Sequence, residues 1–133
     1  MILLDTHALV WMDVEDPRLG RAARRVVTAH WQTQQVGVSA MAFRECAMPC
    51  AKGRLQLPHA MLNWRAELIA AGWVEFPVDG EIAVLAAELD GLHGDSADRF
   101  IAARAIQQGA TLLTGDTRLL AWKHRMKCRD TRK

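Results

Sequence analysis

Apolar residues fall along this chain in short runs separated by longer amphipathic stretches, and the two patterns predict different elements. Ile2-Leu3-Leu4, Val36-Gly37-Val38, Trp73 to Val78 and Thr111 to Thr114 are brief runs bounded by polar or turn residues, the signature of buried strands. Ala8 to Trp11 continue the opening run as a short helix or turn. Asp16-Pro17 breaks the chain and puts Pro17 in the first turn of a helix reaching Trp31. Its Leu19, Ala22, Ala23, Val26 and Val27 form an apolar stripe, with Arg18, Arg21 and Arg25 facing away from it as a solvated face or, alternatively, as an RNA-contacting one. Ser39 caps a further helix bearing Glu45 two turns in, which Pro49 is expected to kink or end early. After Gly53 and Pro58, helices follow from His59 to Ala71, from Glu81 to Leu89 and from Asp95 to Gln108, where Gly109 is a C-cap. Beyond Trp122 the pattern fades, with room for a last edge strand near Met126 to Cys128.

Short strands alternating with helices predict a single α/β domain, a Rossmann-like, mostly parallel sheet of four to five strands flanked by helices. In such a sheet every strand ends at the same edge, and ligands bind there where the strand order reverses. The acids fall where this matters. Asp5 and Asp116 come directly off strands, and Glu45 lies two turns past another. Asp95 and Asp98 share one face of the first turn of their helix. Read locally, Asp95 is an N-cap and Asp98 an acid favoured by the helix dipole. Read together, all five converge if that helix starts beside the same crevice.

Length and composition agree with one soluble globular domain: 133 residues, 50% hydrophobic and 24% charged. No apolar run approaches the roughly 20 residues that span a bilayer, and no basic segment precedes Ile2 as in a signal peptide. Cysteine number is odd, at three, and no Cys/His spacing suits zinc, so free thiols in a reducing cytoplasm are expected. The net charge of +2 hides an asymmetry. Residues 123–133 hold six of the 17 basic side chains against one acid, a tail of +5 on a body of −3. The expected division is a domain over residues 1–122 and a basic tail over 123–133, suited to holding a polyanion near the body or simply solvated.

Clustered carboxylates repel one another and raise each other's pKa, and a divalent cation is the readiest way to keep them ionised. All-oxygen ligation suits Mg²⁺ or Mn²⁺ rather than zinc. Such an ion lowers the pKa of a water and neutralises charge on a phosphodiester under attack.

At this point the chain resembles the PIN-domain ribonucleases, in particular the VapC-like toxins of bacterial type II toxin–antitoxin systems. The likeness runs through Leu3-Leu4-Asp5-Thr6-His7-Ala8, Val38-Ser39-Ala40 with Glu45, Lys52-Gly53-Arg54-Leu55-Gln56-Leu57, Leu92 to Ala103, and Leu112-Leu113-Thr114-Gly115-Asp116. It implies that Asp5, Glu45, Asp98 and Asp116 are the catalytic acidic quartet and that Asp95 is an additional acid of the closest subgroup. Asp5 and Asp98 would ligate the metal directly, Glu45 would act through water, and Asp95 and Asp116 would complete the shell. Thr6 and Thr114 match polar positions beside the metal. The resemblance further implies a Mg²⁺- or Mn²⁺-dependent endoribonuclease acting on structured RNA such as tRNA or rRNA, a homodimer, and a cognate antitoxin that blocks the site. Arg44 stands where close relatives usually carry tryptophan, and Gly94, Ser96 and Ala97 replace the usual Arg, Pro and Phe.

Two other readings compete. One is a non-catalytic PIN-like module that binds RNA or an antitoxin, which predicts no Mn²⁺ binding. The other is a phosphohydrolase with Asp5 as nucleophile, disfavoured because His7 stands where a second acid belongs. His7 and His93 flank the site as proton-transfer or phosphate groups, or as local hydrogen-bonding residues. The five tryptophans are assigned by default to packing rather than to base stacking.

Overall fold

The computed structural model describes residues 1–53, 60–122 and 126–133. The apolar opening is strand β1 (Ile2–Leu4), which Asp5 turns at once into helix α1 (Thr6–Asp13). There follow α2 (Arg21–Trp31), β2 (Val36–Ser39), α3 (Ala40–Ala51), α4 (Met61–Ala70) and β3 (Val74–Phe76). The chain then adds α5 (Gly80–Ala87), α6 (Ser96–Gln108), β4 (Thr111–Thr114), α7 (Thr117–Ala121) and β5 (Lys127–Asp130). The five strands make one sheet in the order β3-β2-β1-β4-β5, and every pairing is parallel. From β1 the chain winds outward through β2 and β3, then returns to the other side of β1 with β4 and β5. That reversal opens a crevice at the C-terminal ends of β1 and β4.

The central strands read as continuous apolar runs because both of their faces are covered. Successive side chains alternate between faces. Ile2 and Leu4 of β1 and Leu113 of β4 join Val36, Val38, Ala42 and Trp64 in one core cluster. Leu3 and Leu112 join Ile82, Ile101, Ala102 and Leu119 in the cluster on the opposite side. Alanines along α6 (Ala102, Ala103, Ala105), nearly inaccessible to solvent, let this helix lie close against the sheet. Gly109, at φ 60, takes the left-handed conformation that closes α6, and Ala110 bonds back to the Ala105 carbonyl.

Three local expectations change. Helix α2 begins at Arg21, not at Pro17, because Gly20 is its N-cap and the C-terminal residues supply acceptors for its first turn. The Gly20 amide donates to the Thr131 carbonyl at 2.7 Å and the Ala22 amide to the Lys133 carbonyl at 2.9 Å. Arg18 therefore belongs to a turn rather than to the helix face. Pro49 does not end α3 early: it sits inside the helix, which runs two residues further and closes when Lys52 donates to the Met48 and Pro49 carbonyls. Residues 126–133 continue the fold, since β5 pairs with β4 from Thr111↔Lys127 to Thr114↔Asp130. The motif residues Arg54 to Leu57, Pro58, the helix start at His59, and the basic Lys123 and Arg125 lie outside the described residues. Among the described residues no helix is long and apolar enough to cross a membrane.

Candidate functional site

Four segments deliver carboxylates to the crevice, and in three of them the acid is also a helix cap. Asp5, only 6% exposed, ends β1 and caps α1: its Oδ1 accepts the Ala8 amide at 2.8 Å. Its Oδ2 accepts the Thr114 hydroxyl at 2.6 Å. The same hydroxyl oxygen accepts the Asp116 amide at 3.1 Å, so Thr114, fully buried, ties the ends of β1 and β4 together. Asp116 caps α7, its Oδ1 accepting the amides of Arg118 at 2.7 Å and Leu119 at 3.4 Å. Asp95 caps α6 by accepting the Asp98 amide at 3.2 Å, and Asp98 lies in that helix's first turn. Glu45 projects from α3, itself capped where the Ser39 hydroxyl accepts the Met41 amide at 3.1 Å.

All five acids line one cavity of about 490 Å³. Thr6 and His7 line it too, as do Trp11, Arg18 and Arg118. Thr114 stands behind Asp5 rather than in the wall. Within the cavity the acids are not equivalent. Ligand atoms of Asp98, Asp116 and His93 lie within 4.8 Å of one another, whereas Asp5, Asp95 and Glu45 stand outside that trio. Nε2 of His93 is 2.6 Å from Asp98 Oδ2, while its Nδ1 is buried without a hydrogen-bond partner. The closest metal-competent group thus includes a nitrogen donor, not oxygen alone.

The environment divides these carboxyls. Burial raises the pKa of Asp5, against the hydrogen bonds from Thr114 and Ala8 that favour its anion. Burial also raises that of Asp98, with repulsion from Asp95 and Asp116 adding to it and the His93 bond opposing it. For Asp116 burial is outweighed by the Arg118 side chain and the capping amides, which hold its carboxyl below the usual range. A crowded set of acids, two of them resisting ionisation, is one that a divalent cation would stabilise.

Three contacts at the site carry little signal in the residue order. The His93–Asp98 bond joins the loop before α6 to that helix's first turn, a contact that no periodicity reports. Arg118 carries Nη2 3.2 Å from Asp116 Oδ2 and 4.0 Å from Asp98 Oδ2; its only sequence signal is a cation two positions after a strand-terminal acid. Arg18, expected on a helix face, is exposed as expected but sits in a turn and also lines the cavity, its guanidinium 4.9 Å from the centre of the Trp11 ring.

Residues 2–123 match the family model described as PIN domain. The chain is 32% identical over 124 residues to Ribonuclease VapC22 of Mycobacterium tuberculosis, with 92% of each chain covered. Its fold is similar to that in the crystal structure of VapBC2 from Rickettsia felis bound to a DNA fragment from their promoter. That match has a TM-score of 0.72 at 16% identity and covers 98% of both chains. It is similar as well to DNA-bound VapBC from Salmonella typhimurium, with a TM-score of 0.70 at 17% identity over 97% of this chain and 96% of that one.

Proposed function

This chain belongs to the PIN-domain family, and on that premise we propose that it is a VapC-type endoribonuclease that hydrolyses phosphodiester bonds in structured RNA, tRNA or rRNA, with Mg²⁺ or Mn²⁺ as cofactor. The observation that carries the proposal is the convergence of Asp5, Glu45, Asp95, Asp98 and Asp116 on one cavity where the strand order reverses. The likeness to a ribonuclease over nearly the whole chain supports the same reading.

In this reading Asp98 and Asp116 would hold the ion together with Asp5, and His93 or Asp95 would complete the set. When bound, the ion supplies charge neutralisation at the phosphodiester and a water of lowered pKa. Thr114 fixes the Asp5 carboxylate through a 2.6 Å hydrogen bond, so the ligand is oriented before any cation arrives. Glu45, on another wall of the cavity, accepts a proton from the attacking water. Thr6, beside Asp5, offers a hydroxyl to the same water network. An acidic cavity repels RNA on its own, and Arg18 and Arg118 in its wall supply positive charge for the strand.

A cognate antitoxin that covers the cavity, a homodimeric state and action in the cytoplasm complete the proposal. Solved VapBC complexes share the fold. The test is incubation of purified protein with total tRNA and rRNA in Mn²⁺, against an EDTA control. Discrete fragments that vanish with chelator are expected; fragments that persist in EDTA, or no fragments at all, overturn the proposal.

A further inference from the structure

We propose that Arg118 is a built-in counter-ion of the metal site: its guanidinium holds Asp98 and Asp116 together before a cation binds, is displaced when one does, and then contacts a phosphate of the RNA. The inference rests on the reading of the cavity as a metal-dependent nuclease site.

Three D-x-R pairs occur in the chain, and they separate what is local from what is particular to Arg118. Asp16–Arg18, Asp116–Arg118 and Asp130–Arg132 each bring a guanidinium nitrogen to within 3.2 Å of the preceding carboxylate. A D-x-R pair alone is thus a recurrent surface motif of this protein. Arg118 differs because the same Nη2 that meets Asp116 also lies 4.0 Å from Asp98. Those two carboxylates are the acidic members of the closest metal-competent trio. One positive charge therefore stands beside the two carboxylates that a divalent cation would bind. A cation and the guanidinium compete for the same carboxylate charge, since both draw on it at short range.

Release costs little and leaves the side chain well placed. The Arg118 side chain is 60% exposed, so leaving the ion pair forfeits only a solvent-screened interaction. Its helix remains capped, because the capping bond to Asp116 is made by the Arg118 backbone amide and not by the guanidinium. A freed guanidinium on the cavity wall presents a planar fork that suits two oxygens of a phosphate. The sequence of occupancy thus couples metal binding to substrate binding. Without a cation Arg118 is engaged internally, and with one it is available to RNA.

The test uses the full chain and two opposed readouts. Mn²⁺ binding to wild type, Arg118→Gln, Arg118→Lys and Arg132→Gln is measured by calorimetry without RNA. Cleavage is then measured at saturating Mn²⁺ across a salt series. Arg118→Gln is expected to bind Mn²⁺ about three- to tenfold more tightly. Its kcat/KM falls by about tenfold or more, and the log–log salt dependence of kcat/KM flattens by about one. Arg118→Lys keeps the charge and stays close to wild type in metal affinity, while recovering part of the cleavage. Arg132→Gln, which breaks the same local pairing outside the cavity, leaves Mn²⁺ affinity unchanged. Unchanged or weaker Mn²⁺ binding by Arg118→Gln, equal tightening by Arg132→Gln, or full cleavage without Arg118 overturns the inference. Wild type that binds no Mn²⁺ overturns the nuclease reading itself, and the inference with it.

Discussion

Asp5→Asn should make the metal-free protein more stable while removing its activity, and the reversal of that stability order by Mn²⁺ is the informative result. Asp5 is 6% exposed, and burial raises its carboxyl pKa. The folded chain therefore keeps this proton to a higher pH than the unfolded chain, whose value is near 3.8. The sign follows from linkage: stability falls as pH rises from the unfolded pKa through the raised folded one, and the whole penalty is present above both. Asparagine removes the charge yet keeps an oxygen for the Ala8 amide, so α1 stays capped. Relief of such a functional-site penalty is worth about 0.5–2 kcal/mol. For a chain of this size that corresponds to a rise in Tm of roughly 2–8 °C in EDTA at pH 7. Mn²⁺ at a hundred times its Kd stabilises the wild type by about 2.7 kcal/mol. The variant, short of one proposed ligand, gains far less, so the order inverts. Thermal melts of both proteins in EDTA and in Mn²⁺ are the assay. A variant less stable than wild type in EDTA, or an equal Mn²⁺-induced shift in both, refutes the reasoning.

Two further substitutions probe the framework around the acids. Thr114→Val deletes the hydroxyl that donates to Asp5 and accepts from Asp116. Because that bond is the strongest influence favouring the Asp5 anion, its loss raises the carboxyl pKa further. Cleavage should drop about 10–100-fold, with the acidic limb of the pH–rate profile moved to higher pH; an unmoved limb contradicts the assignment. Gly20→Ala places a Cβ 2.6 Å from the Arg132 carbonyl carbon and against the Lys133 backbone. Overpacking against backbone should cost about 1–3 kcal/mol in urea denaturation, and a neutral variant would mean that the C-terminal residues do not cap α2.

The legible parts of the fold are those in which local pattern and burial coincide. Strands β1, β2 and β4 are central and buried on both faces, so each appears as an unbroken apolar run. Strand β5 is an edge strand that alternates exposed Lys127 and Arg129 with half-buried Cys128 and Asp130, and its charges mask the pattern. Helix α7 has five residues, too few to show a helical period. The start of α2 was misplaced because Pro17 is a local signal, whereas the acceptors at Thr131 and Lys133 come from the far end of the chain.

The same contrast holds at the site. Asp5 directly follows β1 and Asp116 follows β4 after Gly115, and a carboxylate just past a parallel strand lies at the sheet's C-terminal edge. Asp95 and Asp98 were conspicuous because both open a helix. The approach of Asp98 to His93 and Arg118 is set by loop path and side-chain rotamer, which carry no periodic trace in sequence.

The whole account depends on these acids sharing a cation. Anomalous diffraction from crystals soaked in Mn²⁺ tests it most directly. The expected result is a peak in the cavity within about 2.0–2.3 Å of oxygens from Asp98, Asp116 and Asp5. Manganese density elsewhere, with that cavity empty at millimolar Mn²⁺, would contradict it.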